Sequence, residues 1–156
     1  MSRPTIELIG ALRATANRLS QGAHYQWSHQ GSCNCGHLAQ TVTRLSKADI
    51  HAYALQKAGD WGQKSIDYCP ESGYPIDYII SEMIAIGLNT DDLYHLERLS
   101  APKILKSIPR ERRPLQHNCR RDVILYFNTW ANLLEEEFLE RIELPALEEM
   151  EEMTFY

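Results

Sequence analysis

One period runs through this chain. Apolar residues recur three and four positions apart, and no stretch alternates long enough to make a strand. Leu8, Leu12, Thr15 and Leu19 form the first such stripe, with Ala11 and Ala16 beside them and Gly22 after it. Cys35, Leu38, Ala39 and Val42 form the next, followed by Leu45. Ser46 and Asp49 make a capping-box pattern that opens a helix over Ile50, Tyr53 and Ala54, ended by Gly59. Asp60 and Gln63 repeat the pattern and start a short helix through Ile66.

Residues 69–75, CPESGYP, read as a turn, because two prolines and a glycine break any period. Ile76, Ile79, Ile80, Met83 and Ile84 then mark a helix stopped by Gly87. Thr90 is the expected cap of the next, which carries Leu93, Leu96 and Leu99. A short piece over Ile104 and Leu105 leads into a loop over residues 108–114. The last long helix carries Val123, Phe127, Trp130, Leu134 and Phe138, spaced for packing, with Asn118 as expected cap and Pro145 as expected end. The fold class that follows is all-α: an irregular bundle of about seven or eight helices. It forms a single domain over residues 1–156, with 145–156 an acidic tail free to fray or dock.

Bulk properties narrow the setting. At 156 residues, 44% apolar and 24% charged, the chain can bury a core without staples. A net charge of −5 speaks against a nucleic-acid coat or a polybasic membrane binder. The opening residues lack the apolar core of a signal peptide, and no run reaches the ~20 apolar residues of a membrane span. The expected setting is the cytoplasm, with Cys33, Cys35, Cys69 and Cys119 reduced.

Chemistry concentrates in one segment. His24, His29, Cys33, Cys35 and His37 fall within 14 positions, and Cys69 is a further thiol. Thiolate and imidazole are zinc ligands, so a transition-metal site, zinc first, is one reading of these six residues. The spacing lacks the paired knuckle of structural zinc sites, and on a helix begun at Cys33 the thiol of Cys35 points away from Cys33 and His37. A later start, with Asn34 as cap because Gly36 is a poor interior residue, sets Cys35 first in the helix. There the helix dipole and free N–H groups would lower its pKa, the second reading. The third is structural: free cysteine is commonly a small buried hydrophobe.

A cysteine opening a helix and followed by small and apolar residues resembles the nucleophile helix of papain-like peptidases and amidases. The likeness is local. It implies a thiol-dependent hydrolase or transferase with Cys35 as nucleophile and a histidine as base. Those families set that histidine on a strand, for which this sequence has no candidate.

Other features read more simply. Asp92 and His95 show the spacing of a di-iron ligand pair, but in one copy, so a cap acid and a boundary histidine suffice. Residues 76–99 imitate a helix-turn-helix, yet the second helix opens on Asp91 and Asp92, which phosphate repels. Trp61, Tyr68, Tyr74 and Tyr78 flank the 69–75 turn as a plug at a helix junction, or as the lining of a pocket near Cys69. Between Lys103 and Arg121 there are seven basic residues against Glu111, and between Glu135 and Glu152 nine glutamates against Arg141. Such blocks are solvated faces that attract one another within the molecule or across a homodimer; an anion or RNA site is the alternative. A non-catalytic interaction protein is therefore a functional reading beside the metal and thiol ones.

Overall fold

In the computed structural model, the backbone is described for residues 2–154 and the side chains for residues 2–142. Among the described residues there are eight α-helices and no strand. They are α1 (Ile6–Ser20), α2 (Asn34–Thr43), α3 (Lys47–Ala54), α4 (Trp61–Ile66), α5 (Pro75–Ala85), α6 (Thr90–Arg98), α7 (Pro102–Lys106) and α8 (Arg120–Thr154). A single 3₁₀ turn, Arg110–Arg112, interrupts the expected loop after α7.

Local chemistry explains the starts. Thr5 accepts the Leu8 N–H at 3.0 Å, Ser46 that of Asp49 at 3.1 Å and Asp60 that of Gln63 at 2.9 Å. Pro75 and Pro102 open α5 and α7, where a missing N–H costs nothing. Besides the start of α2, four boundaries differ from the sequence expectation. The cap of α6 is Asn89, not Thr90: its side chain accepts the Asp92 N–H while Asp92 accepts the Asn89 N–H, both at 2.9 Å. α8 starts after Cys119, whose carbonyl takes the first helical bond from Val123 N–H at 2.9 Å, so Asn118 is not its cap. α3 ends at Ala54, well before Gly59, which turns the chain at φ +89° into α4. The bounds of α8 pass Pro145; a proline removes one helical hydrogen bond without having to end the helix. The expectation that residues 145–156 fray or dock falls on side chains outside the described residues.

Two helices organise the core. α8 lies chiefly along α1, closing Val123, Phe127, Trp130 and Leu134 over Leu8, Leu12 and Leu19. α2 touches α1, α3, α5 and α6, so it is the hub of the other half. Buried aromatics keep polar partners: Trp130 Nε1 donates to Ser2 Oγ at 3.0 Å and Trp61 Nε1 to the Gln30 carbonyl at 2.8 Å. The turn at 69–75 is tied down by Asp77, which is buried, pairs with Lys57 at 2.9 Å and accepts the Ser72 hydroxyl. Of the aromatics that flank the turn, Trp61 is buried but turns to the Gln30 carbonyl, Tyr68 is half-buried, and Tyr74 and Tyr78 face solvent, so the four do not close together as a plug. The acidic face of α8 meets bases of its own chain, Glu135 with Arg13 and Glu137 with Lys103 at 2.5 Å. No helix among the described residues is long and apolar enough to cross a membrane.

Candidate functional site at the start of α2

The chemistry-bearing segment does meet the mouth of a helix, in a register one residue from the expected one. Cys33 is the cap of α2, in extended conformation, and its Sγ accepts the Gly36 N–H at 3.4 Å. Asn34 is the first helical residue and Cys35 the second. The segment begins this early because Gly36 is not avoiding the helix. A Cβ at Gly36 would lie 2.4 Å from the Gln30 carbonyl oxygen and 2.6 Å from the Gly31 carbonyl carbon. The backbone of the incoming turn packs directly on the first turn of α2, and only glycine leaves room.

Asn34 locks that turn in place. Its buried amide donates to the Leu96 carbonyl at 3.0 Å and the His117 carbonyl at 2.9 Å, and its oxygen accepts the Tyr25 hydroxyl at 2.6 Å. Cys35 donates its backbone N–H to Glu97 Oε1 at 2.7 Å and its thiol to the Leu93 carbonyl at 3.2 Å. Glu97 thus enters from α6 as the anion at the start of α2. It is 4% exposed, and among the described residues no Lys, Arg or His nitrogen comes within 4.0 Å of it.

This burial sets the ionisation of the group. Desolvation raises the Glu97 pKa, although the Cys35 N–H and the two thiols pull it down. Desolvation and then the Glu97 charge push both Cys33 and Cys35 well above the usual thiol range. The expected activation of Cys35 by the helix start is therefore outweighed. In the native protein at pH 8, Cys69, which is exposed, is expected to react with iodoacetamide first, with Cys33 and Cys35 modified only through unfolding. Peptide mapping over a time course reads this, and labelling of Cys35 ahead of Cys69 would restore the activated thiol.

The zinc candidates do not converge. Cys33 Sγ turns onto its own helix, Cys35 Sγ onto α6, and His37 Nε2 donates to the His24 carbonyl at 2.6 Å. The His24 side chain faces solvent. His29 stacks on His51 with ring centroids 4.0 Å apart, and Cys69 sits in the exposed 69–75 turn. Among the described residues no three His, Cys, Asp or Glu side chains are grouped as an ion needs. Asp92 and His95 are also used locally, Asp92 in the α6 capping box and His95 Nδ1 against Ser100 Oγ at 2.8 Å.

What the fold does assemble is a cavity of about 200 Å³ lined by Trp27, Asp60, Glu97, Arg98 and His117. The Trp27 indole N–H points to the Glu97 carbonyl at 3.4 Å, and its ring meets His117 edge-on at 4.8 Å. Arg98 lies over the Tyr94 ring at 4.1 Å, where Gly62 leaves it space. Two buried polar atoms lack a hydrogen-bond partner among the described residues, Gln30 Oε1 and Ser32 Oγ, and both belong to the turn that enters α2. Glu97 is not among the sequence candidates, yet a signal exists: it follows Leu93 and Leu96 on the inward face of α6, where a glutamate is out of place. Comparison with protein-family models, curated proteins and solved structures finds no match to the chain.

Proposed function

We propose that the chain binds a small, donor-bearing organic molecule in the Glu97 cavity and exchanges a proton with it through the Glu97 carboxyl. The observation that carries the reading is the burial of that carboxyl without a basic partner. A buried charge left unpaired costs several kcal/mol, so a stability role alone does not account for it. A carboxyl whose pKa is raised by burial, on a residue that lines a cavity, has the properties of a general acid or base. The thiols of Cys33 and Cys35 stay neutral beside it, and Asp60, Arg98, His117 and Trp27 supply the rest of the wall.

Three planar molecules of one shape test this: acetamidinium, acetamide and acetate. In ligand-observed NMR near pH 8 the cation is expected to bind, the amide more weakly and acetate not at all, and Glu97→Gln abolishes the preference for the cation. Equal binding of all three, or none, would overturn the proposal. The same variant carries a stability readout. Because the Glu97 pKa is raised on folding, its cost is absent below about pH 4.5 and grows as pH rises through the folded pKa. Glu97→Gln, which keeps an acceptor for the Cys35 N–H, is expected to stabilise the protein at pH 8 by on the order of 1 kcal/mol, the low end of the penalty for a poorly satisfied buried polar group. The gain disappears near pH 4 in urea titrations. Destabilisation at pH 8 instead would mark Glu97 as a structural keystone.

A further inference from the structure

The two segments that wall the Glu97 cavity continue into a second concavity. Residues 97 and 98 and His117 line the first; Leu99, Ser100, Arg113, Pro114 and Leu115, with Leu105 and Arg110, line the second. Its volume of about 580 Å³ is that of an organic-ligand site, which runs from about 300 to 1,000 Å³. The lining divides sharply by chemistry. Leu99, Leu105, Pro114 and Leu115 give aliphatic carbon. The Ser100 hydroxyl is already engaged with His95 at 2.8 Å. Arg110 and Arg113 are exposed, and among the described residues neither has a carboxylate within 4.0 Å. Two guanidinium groups with no internal counter-charge therefore stand beside an aliphatic floor. Lys106 and Arg112 add positive charge on the neighbouring turns.

We infer that this groove binds an aliphatic carboxylate, its head on Arg110 and Arg113 and its chain on the leucines. A guanidinium fork pairs two carboxylate oxygens at once, and an apolar floor that is still half-exposed at Leu105 and Leu115 gains by covering. No aromatic side chain lines the groove, so it lacks the stacking surface a nucleotide base would use. The site is separate from the proton-exchanging carboxyl, and the proposal stands whether or not Glu97 acts as proposed above.

The probes are octanoate, 1-octanol and acetate, measured by isothermal titration calorimetry on the full chain. Octanoate is expected to bind saturably. Octanol lacks the charge and acetate the chain, so each is expected to bind at least about tenfold more weakly, the worth of one charge-assisted hydrogen bond or of burying two methylene groups. Arg110→Ala/Arg113→Ala, at exposed positions, is expected to weaken octanoate at least about tenfold while leaving the circular dichroism unchanged. Glu97→Gln leaves octanoate binding as it was, so failure here and failure at the cavity are told apart. Equal binding of octanol or acetate, or an unaffected double variant, would overturn the assignment. So would a concentration-dependent dimer that the double variant dissolves, since the groove would then hold the acidic α8 of a second copy.

Discussion

Gly36→Ala is expected to destabilise the protein by about 3 kcal/mol, the upper end of the cost of overpacking, where helix propensity alone expects a gain of about 1 kcal/mol. Position 36 lies in the first turn of α2, so alanine would improve the local helix. The added methyl, however, lands 2.4 Å from the Gln30 carbonyl oxygen and 2.6 Å from the Gly31 carbonyl carbon. Both are backbone atoms, and neither can rotate away as a side chain would. The turn has to move off the helix, and it carries the Cys33 cap and the Gln30 carbonyl that accepts from Trp61 with it. Gly31 is tighter still, because its Cβ would overlap the Lys47 carbonyl. Urea unfolding of Gly36→Ala beside an exposed helix substitution, Gly10→Ala, separates the two effects. A Cβ at Gly10 meets nothing within 4 Å, so there the propensity gain stands alone. Equal gains at both positions would remove the close approach from the account of how α2 begins.

The same glycine shows where the sequence is legible and where it misleads. Helix existence follows from the three-and-four spacing, because that spacing is the geometry of a buried stripe; Leu8, Leu12 and Leu19, or Ile76, Ile79, Ile80 and Met83, are buried as their spacing requires. Caps that act within four residues, at Ser46 and Asp60, are local enough to read. By propensity, Gly36 is unfit for a helix interior and so a reason to begin α2 later. Its actual cause is a contact with a turn five and six residues upstream, which no local preference encodes. The cysteines mislead in the same way. A helix start lowers a thiol pKa if water reaches it, but Glu97, 62 residues from Cys35, takes the Cys35 N–H and adds negative charge to a dry site. Candidate ligands close in sequence diverge because each side chain finds its partner on a different element.

Lowering the pH from 7 to 4 is expected to remove about 3 kcal/mol of stability through His37 alone. Its Nε2 faces the His24 carbonyl at 2.6 Å, so it donates there and the proton sits on Nε2. Nδ1 is then the acceptor, with Arg18 Nη1 3.5 Å away. Burial first, with the charges of Arg18, Arg120 and His24, lowers the His37 pKa to about 4 against the bond to the His24 carbonyl, which raises it. An unfolded histidine titrates near 6.5, so the contribution is complete above pH 6.5 and lost as pH falls through the folded value. The gap between a folded pKa of about 4 and the unfolded value corresponds to about 3 kcal/mol. His29, lowered by burial and by His51, adds to the same slope. Glu97 and Asp92, both raised by burial, oppose it, returning stability as they take up protons. The wild-type profile is therefore a difference of two opposing trends. Urea titrations from pH 4 to 8 in the Glu97→Gln background expose the histidine arm. Adding His37→Gln, which keeps a donor for the His24 carbonyl but takes no proton, is expected to flatten most of what remains. A slope that survives His37→Gln undiminished would place the acid sensitivity elsewhere and leave the α1–α2 packing around Arg18 indifferent to the charge on residue 37.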